Sequence, residues 1–224
     1  MIQPFETDTF KTSAGELAIT FLGHGSLYMT FNGKTIHVDP YGEVADYASL
    51  PKADVVLVTH EHLDHLDPQA LAAIRTPATV LVANPTGARQ TGGIAMRNGD
   101  RQTVAGIGVE AVPAYNLVNL RQDGQPFHPK GSGNGYVLTF GGTRLYIAGD
   151  TENILEMMAL KNIDIAFLPM NLPYTMTPEM VVKAAKAFRP RILYPYHFGQ
   201  TDTRKLLNLL RGEKDIEVRI RRMA

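Results

Sequence analysis

The sequence predicts an α/β fold in which two β-sheets are sandwiched between helices. Two observations predict it. Apolar runs typical of strands recur along the chain, and they come first with few helices between them and later alternate with helical segments. This order fits two sheets that are covered by helices on their outer faces. No linker divides the 224 residues, so we expect a single domain over 1–224.

The predicted strands of the N-terminal half are apolar runs bounded by turn residues. They cover residues 17–22, 27–31, 35–39, 55–59 and 79–83. Asn32-Gly33 is a hairpin signal, and the unbroken apolar run from 55 to 58 is typical of a strand buried on both faces. Asp67 followed by Pro68 predicts the N-terminus of a helix. The stretch MIQPFETDTF at the N-terminus is interpreted as a polar lead-in.

The C-terminal half alternates strands and helices. Strands are predicted twice within 101–113 and over 136–140, 144–148, 163–168, 192–196 and 217–220, and helices near 152, after the cap Thr177 and over 202–210. Residues 116–134 are polar and rich in Gly and Pro, and a loop this long in a compact domain is usually functional or mobile. Its end, GSGNG at 131–135, is interpreted as a flexible segment.

Composition argues against several classes of protein. The chain has 22 Lys and Arg residues and 22 Asp and Glu residues, so its formal net charge is zero. This balance does not favour a protein that binds the phosphates of nucleic acids. The absence of cysteine removes thiolate nucleophiles and thiolate metal ligands. No apolar run reaches the roughly 18 residues of a membrane span. The N-terminus lacks a signal-peptide pattern, so we expect a cytoplasmic protein, although a chain trimmed of a leader would look the same.

Three of the seven histidines follow the apolar run that ends at 58. His60, His62, Asp64 and His65 form the pattern His-x-His-x-Asp-His. The i, i+2 spacing sends two imidazoles the same way from an extended segment. Imidazole and carboxylate suit zinc, and also manganese or iron, whereas burying these groups unpaired would be costly. The pattern therefore predicts a metal site.

The stretch LVTHEHLDH resembles the signature of the metallo-β-lactamase superfamily, whose fold is a four-layer αβ/βα sandwich. LYIAGDT places Asp150, and LYPYHFG places His197, at strand ends where this family keeps its metal-bridging aspartate and its last histidine ligand. FLGHGS and HVDPYG are similar to the branch of metal-dependent hydrolases that includes ascorbate-6-phosphate lactonase and N-acyl-phosphatidylethanolamine phospholipase D. The resemblance covers residues 17–220.

This resemblance implies a centre of two divalent metal ions, with zinc favoured and manganese or iron as alternatives. One ion would be held by His60, His62 and His128, and the other by Asp64, His65 and His197, with Asp150 bridging them. Two such ions share a water or hydroxide that is nucleophilic at neutral pH. Asp64 would also orient this nucleophile, which makes it the expected catalytic residue.

The first ligand set departs from the family pattern. The family usually has another histidine between the His-x-His-x-Asp-His motif and the bridging aspartate, and the matching stretch AVPAYN offers Asn116 instead. Two interpretations remain open at this point. Either the long loop folds back so that His128 supplies the ligand, since imidazole is the better ligand, or Asn116 binds weakly through its amide oxygen and the first position is labile.

Other residues are candidates for contacts with the ligands or the substrate. His24 lies near the site in the resembling branch, and a hydrogen-bonded structural histidine is an equal interpretation. Asp39 is expected to accept a hydrogen bond from a metal-bound histidine, the alternative being a residue of the Asp-Pro-Tyr-Gly turn. Lys130 would attract an anionic substrate, but a solvated lysine is the default interpretation.

These features predict a hydrolase with a binuclear metal centre that cleaves an ester, lactone, amide or phosphodiester bond of an unknown small molecule. One alternative is a nuclease-type phosphodiesterase, which the neutral charge does not favour. Another is a metal-binding sensor or scaffold without turnover, favoured only by Asn116. We expect no nucleic-acid partner and no membrane span, and the sequence does not predict the oligomeric state.

Overall fold

Two mixed β-sheets pack face to face between layers of helices in this computed structural model, which describes residues 4–224. The strands are β1 (Glu6–Thr12), β2 (Gly15–Gly23), β3 (Ser26–Phe31), β4 (Lys34–Val38), β5 (Val55–Val58), β6 (Val80–Ala83), β7 (Ile94–Ala95), β8 (Arg101–Val104), β9 (Ile107–Ala114), β10 (Gly133–Phe140), β11 (Thr143–Ile147), β12 (Ile165–Pro169), β13 (Ile192–Tyr196) and β14 (Glu217–Val218). The helices are α1 (Pro68–Ile74), α2 (Pro85–Thr91), α3 (Leu155–Met158), α4 (Pro178–Phe188) and α5 (Thr203–Leu210).

The two sheets share one plan. The first has the strand order β1 to β7, and the second has the order β14 to β8, so neighbours in space are neighbours in sequence. Each sheet begins with antiparallel strands and continues with parallel ones, from β4 onward in the first and from β11 onward in the second. The carboxyl ends of parallel strands lie at one edge of a sheet, which is where ligands usually bind.

Three apolar clusters hold these layers together. The central cluster, which includes Phe21, Leu57 and Phe167, lies between the sheets. A second cluster packs α4 and α5 against the outer face of the second sheet, and a third packs α1 and α2 against the first. The predicted four-layer sandwich of helices around two sheets is therefore confirmed. Among residues 4–224, no helix is both long enough and apolar enough to cross a bilayer.

Local signals account for several elements. Asn32 and Gly33 both have positive φ angles, 49° and 73°, as the tight turn between β3 and β4 requires. The Asp67 side chain accepts hydrogen bonds at the N-terminus of α1, and Thr177 does the same for α4. These hairpin and capping predictions are confirmed.

Several sequence expectations were wrong or incomplete. The first three residues of the predicted lead-in lie outside the described residues, but its residues from Glu6 to Phe10 belong to the edge strand β1, whose polar alternation suits an edge. Helix α2 was not predicted, although Asn84-Pro85 is a cap signal. Helix α3 begins at Leu155, not near 152. The strand β7 was missed as well.

The segment at 131–135 was interpreted as flexible, but its last three residues belong to β10. A Cβ atom on Gly135 would lie 2.8 Å from the carbonyl oxygen of Ala148 and 2.9 Å from that of Ile147. Glycine is therefore needed here for close approach of two backbones.

A half-buried carboxylate links the edge strand β1 to the C-terminal segment. The Asp8 carboxylate accepts two hydrogen bonds from the Arg221 guanidinium at 2.7 and 2.8 Å, and it also contacts Tyr194 and Arg219. Burial would raise the pKa of Asp8, but hydrogen bonds from Tyr194 and Arg221 outweigh it and hold the pKa below its usual value. The carboxylate is thus ionised and paired at neutral pH.

We predict that Asp8→Asn lowers the free energy of unfolding by about 2 kcal/mol, because two arginines lose a charged acceptor. Urea denaturation of the metal-free protein measures this. Lys205→Gln is the control, since it breaks an exposed ion pair with Glu179 and should leave the urea midpoint unchanged. Equal midpoints for Asp8→Asn and the wild type would contradict the prediction.

Candidate metal centre

Histidines and aspartates converge where several strands end at the same edge of the two sheets. They are His24 after β2, Asp39 after β4, the segment 60–65 after β5, His128 before β10, Asp150 after β11 and His197 after β13. The segment 60–65 is compact because the backbone N–H groups of His65 and Leu66 both donate to the carbonyl of His62. The structure thus brings together all seven residues that the sequence offers as metal ligands.

One group of possible ligand atoms belongs to His60, His62 and His128. Their nearest ring nitrogens lie within 4.8 Å of one another. Nε2 of His60 lies 3.1 Å from Nδ1 of His62, while Nδ1 of His60 contacts the Thr59 hydroxyl at 3.1 Å. Three imidazoles at such distances are typical ligands for a divalent transition metal.

A second group belongs to His24, Asp64, His65 and His197. Nε2 of His65 and Nε2 of His197 each lie 3.7 Å from Oδ2 of Asp64. The two nitrogens are buried, and neither has a hydrogen-bond partner among the described residues. Buried polar atoms without partners are costly, so a cation that accepts their lone pairs fits this place.

Asp150 lies between the two groups. Its Oδ2 atom is 3.3 Å from Nε2 of His128, and its Oδ1 atom is 3.5 Å from Nε2 of His65 and 3.4 Å from Nε2 of His197. Oδ1 is also buried and without a hydrogen bond in the described part of the chain. One carboxylate therefore faces both groups, as a bridging ligand must.

Asp39 fixes the orientation of His65. Its Oδ2 atom lies 2.8 Å from Nδ1 of His65, so Nε2 of that ring faces the centre. The same carboxylate accepts hydrogen bonds from the backbone N–H and the hydroxyl of Thr59, both at 2.7 Å. This contact is the one expected between a carboxylate and a metal-binding histidine.

Asn116 orients His128. Its Oδ1 atom accepts hydrogen bonds from the backbone N–H and from Nδ1 of His128, both at 2.8 Å. Nε2 of His128 therefore points toward Asp150. Because Oδ1 of Asn116 is already occupied twice, the geometry favours His128 as the ligand and Asn116 as the residue that positions it.

Sequence reasoning missed Glu152, which fixes the same loop. This fully buried carboxylate accepts hydrogen bonds from the backbone N–H groups of Leu117, Val118 and Asn119, each at 2.8 Å. It also accepts one from Nδ2 of Asn116 at 3.2 Å. The available signal was an acidic residue two positions after Asp150, in AGDTE, which sequence reasoning assigned only to a helix start.

His24 lies within the cluster. Its Nε2 atom is 3.0 Å from Oδ2 of Asp64, and its ring packs on that of His197 with 3.7 Å between centroids. His24, Asp39 and His197 all have positive φ angles, between 45° and 52°. Such strained backbone in residues other than glycine tends to collect at functional sites.

Lys130 does not reach the centre. Its ammonium group pairs with Glu156 at 3.0 Å and lies over the ring of Tyr115. The default interpretation of a surface lysine therefore fits better than a role in attracting the substrate.

The protonation of the histidines is uneven. Burial alone would lower the pKa of His65, but the carboxylates of Asp150 and Asp39 outweigh it and raise this pKa to about 9. Burial lowers the pKa of His128 to about 4 and holds that of His60 well below its usual value. At neutral pH, His65 carries a proton while His60 and His128 have free lone pairs.

Comparison with known proteins gives consistent similarities. Residues 18–197 match the family described as the β-lactamase superfamily domain. The UPF0173 metal-dependent hydrolase of Koribacter versatilis is 33% identical over 198 residues, which cover 82% of this chain and 84% of the relative.

Solved structures agree. A Parabacteroides distasonis protein assigned to the metal-dependent hydrolases is 50% identical, covers 98% of this chain and 100% of its own, and superposes with a TM-score of 0.94. Igni18, a metallo hydrolase from Ignicoccus hospitalis, is 25% identical and covers 92% of this chain and 95% of its own, with a TM-score of 0.75.

We predict that the zinc affinity of the metal-free protein rises about tenfold per pH unit from pH 7 and levels off near pH 9. The zinc affinity should rise with pH because, below the raised pKa of His65, a proton occupies the ring nitrogen that would bind the metal. Competition with a chelator at pH 7, 8 and 9 measures this. Asp39→Asn removes one of the carboxylates that raise this pKa, so it should move the plateau to lower pH; identical pH profiles would contradict the assignment.

We predict that Glu152→Gln weakens one of two zinc sites by about 10- to 100-fold and spares the other, because the loop that orients His128 loses its acceptor. Zinc titration with a chelating dye resolves the two sites. Glu156→Gln is a matched control, since this carboxylate lies on α3 and binds Lys130 outside the cluster. Equal weakening of both sites would instead indicate a general loss of structure.

Proposed function

We propose that this chain, which belongs to the β-lactamase superfamily, is a metal-dependent hydrolase whose histidine and aspartate cluster holds two divalent ions. The observation that carries this proposal is the set of buried nitrogen and oxygen atoms of His65, His197 and Asp150, which face one another without hydrogen-bond partners in the described structure. Zinc is favoured, and manganese or iron also suit these ligands.

In this proposal each ion has its own histidines. His60, His62 and His128 would hold one ion, and Asp64, His65 and His197 would hold the other, with Asp150 between the two groups. The chemistry that two such ions supply when bound is a nucleophilic hydroxide at neutral pH and polarisation of the bond that is cleaved. The orientations of His65 and His128, set by Asp39 and Asn116, support this division.

Asp64 is the proposed catalytic carboxylate. Burial would raise its pKa, but the hydrogen bond from His24 and the charge of His65 lower it, so Asp64 stays ionised at neutral pH. Its side chain lines a cavity of about 350 Å³ together with His24, His62 and Asp150. An ionised carboxylate in this place accepts a hydrogen bond from the attacking water and orients it.

The size of the cavity supports a small-molecule substrate. A volume of about 350 Å³ lies at the lower end of the range for small-ligand pockets. The bond cleaved would be an ester, lactone, amide or phosphodiester, with a cytoplasmic location as expected from the sequence. The alternatives are a nuclease-type phosphodiesterase and a metal-binding sensor without turnover.

We expect the zinc-reloaded protein to hold about two zinc equivalents per chain, as measured by elemental analysis after removal of free metal. His128→Ala should hold about one, because the remaining histidines form a weak site. Lys130→Gln, a change in the same loop outside the cluster, should hold two. Two equivalents in His128→Ala would move the ligand role to Asn116.

We predict that Asp64→Asn lowers kcat by about 10²-fold or more at saturating zinc, because the amide does not accept the proton. Hydrolysis of 4-nitrophenyl esters and of bis-4-nitrophenyl phosphate measures this, and Asp215→Asn is the control at an exposed ion pair. Full activity of Asp64→Asn would remove Asp64 from catalysis. A wild-type protein with two zinc ions and no turnover of esters, lactones, amides or phosphodiesters would favour the sensor.

A further inference from the structure

We propose that Arg121 is the specificity residue of the cavity and binds an anionic group of the substrate, a carboxylate or a phosphate, at a distance from the bond that is cleaved. This inference rests on the proposed hydrolase function and names its substrate class as small molecules with a second, negatively charged end. The loop of residues 116–134 supplies this arginine as well as His128.

The position of Arg121 is the first argument. It lines the cavity of about 350 Å³ whose walls include His62, Asp64 and Asp150. Among the described residues that line this cavity, Arg121 is the only arginine or lysine. A substrate held at the metal cluster therefore shares the cavity with one arginine side chain.

The loop holds Arg121 in a defined conformation although the side chain is exposed. Its backbone N–H donates to the carbonyl of Gln125 at 2.7 Å, and its carbonyl accepts from the N–H of Gly124 at 3.0 Å. One Nη2–H donates to the carbonyl of Phe127 at 3.2 Å, and the guanidinium lies 5.2 Å from the centre of the Phe127 ring. That ring in turn packs edge-on against Tyr174.

The charge of Arg121 is not neutralised within the described structure. Most other arginines pair with a carboxylate, as Arg101 does with Glu110 and Arg189 with Asp215, but no carboxylate lies within ion-pair distance of Arg121. A guanidinium with only one N–H committed has a free edge for two parallel hydrogen bonds. Carboxylates and phosphates are the groups that accept such a pair.

The cavity itself favours an anion. Its two carboxylates, Asp64 and Asp150, are proposed ligands of the metals, whose combined charge exceeds theirs. Beside the guanidinium lie the ring of Phe127, which it contacts, and the ring of Tyr174, which packs on Phe127; both rings line the cavity.

The chain offers a matched control in the same loop. Lys130 carries the same charge but pairs with Glu156 and does not line the cavity. Arg121→Gln and Lys130→Gln change the net charge equally, so a general electrostatic effect appears in both. Arg121→Lys keeps the charge but loses the planar fork.

The first experiment measures binding and needs no turnover. Calorimetry on the zinc-loaded protein compares valerate with glutarate and 4-phosphonobutyrate, which add a second carboxylate or phosphonate at the far end of the chain. In the wild type the second anion should tighten binding about 10- to 100-fold. Arg121→Gln should abolish this gain, Arg121→Lys should retain part of it, and Lys130→Gln should retain all of it.

The relative affinity of glutarate and 4-phosphonobutyrate decides between a carboxylate and a phosphate as the native group. The tighter of the two identifies the source, and either result supports the proposal. No gain from the second anion in the wild type, or an equal loss in Arg121→Gln and Lys130→Gln, would overturn it.

The second experiment measures turnover of 4-nitrophenyl valerate and the mono-4-nitrophenyl ester of glutaric acid. Arg121→Gln should lower kcat/KM for the anionic ester about 10- to 100-fold while changing the neutral ester less than about twofold. Equal losses for both esters would show that Arg121 only stabilises the loop. If the wild type hydrolyses neither ester, the hydrolase proposal fails on these substrates, and the binding experiment still decides the role of Arg121.

Discussion

Burial of a polar cluster at the meeting edge of two sheets is the constraint on which the rest of this structure depends. Three rings in the cluster use one nitrogen for a contact with a residue outside the proposed ligands and turn the other nitrogen inward. His65 contacts Asp39, His128 contacts Asn116, and His60 contacts Thr59. His197 differs from these three, because both of its ring nitrogens are buried without hydrogen-bond partners in the part of the chain described.

The contacts of these histidines with Asp39, Asn116 and Thr59 fix the ends of the neighbouring strands relative to one another. Asp39 joins the ends of β4 and β5, since it binds Thr59 as well as His65. The backbone N–H of Asn134, at the start of β10, donates to the carbonyl of Thr59, which joins the first sheet to the second. The geometry of the candidate centre therefore depends on how the two sheets pack. A shift of either sheet would separate the histidines and aspartates of the cluster.

The sequence was sufficient for those parts of the fold and site that depend on local spacing. The segment 60–65 is readable because ligand types recur at short intervals after an apolar run, and the caps Asp67 and Thr177 act within three residues. Whether His128 or Asn116 faces the histidine and aspartate cluster could not be predicted, because it depends on how 19 residues without periodicity fold back. The role of Glu152 could not be predicted for the same reason, because its partners are backbone N–H groups more than 30 residues away in the sequence.

The loop of residues 116–134 carries both a proposed metal ligand and the proposed specificity residue. Its first residues are fixed by Glu152, its middle carries Arg121 in a tight turn, and its end delivers His128 to the cluster. Asn116 spans both ends, since its amide contacts Glu152 on one side and His128 on the other. The turn that carries Arg121 is closed by hydrogen bonds of its own, from the Arg121 N–H to Gln125 and from the Gly124 N–H to Arg121. This makes a rigid loop the expectation, and it argues that the cavity is shaped before the substrate arrives, with its cation already facing the cluster.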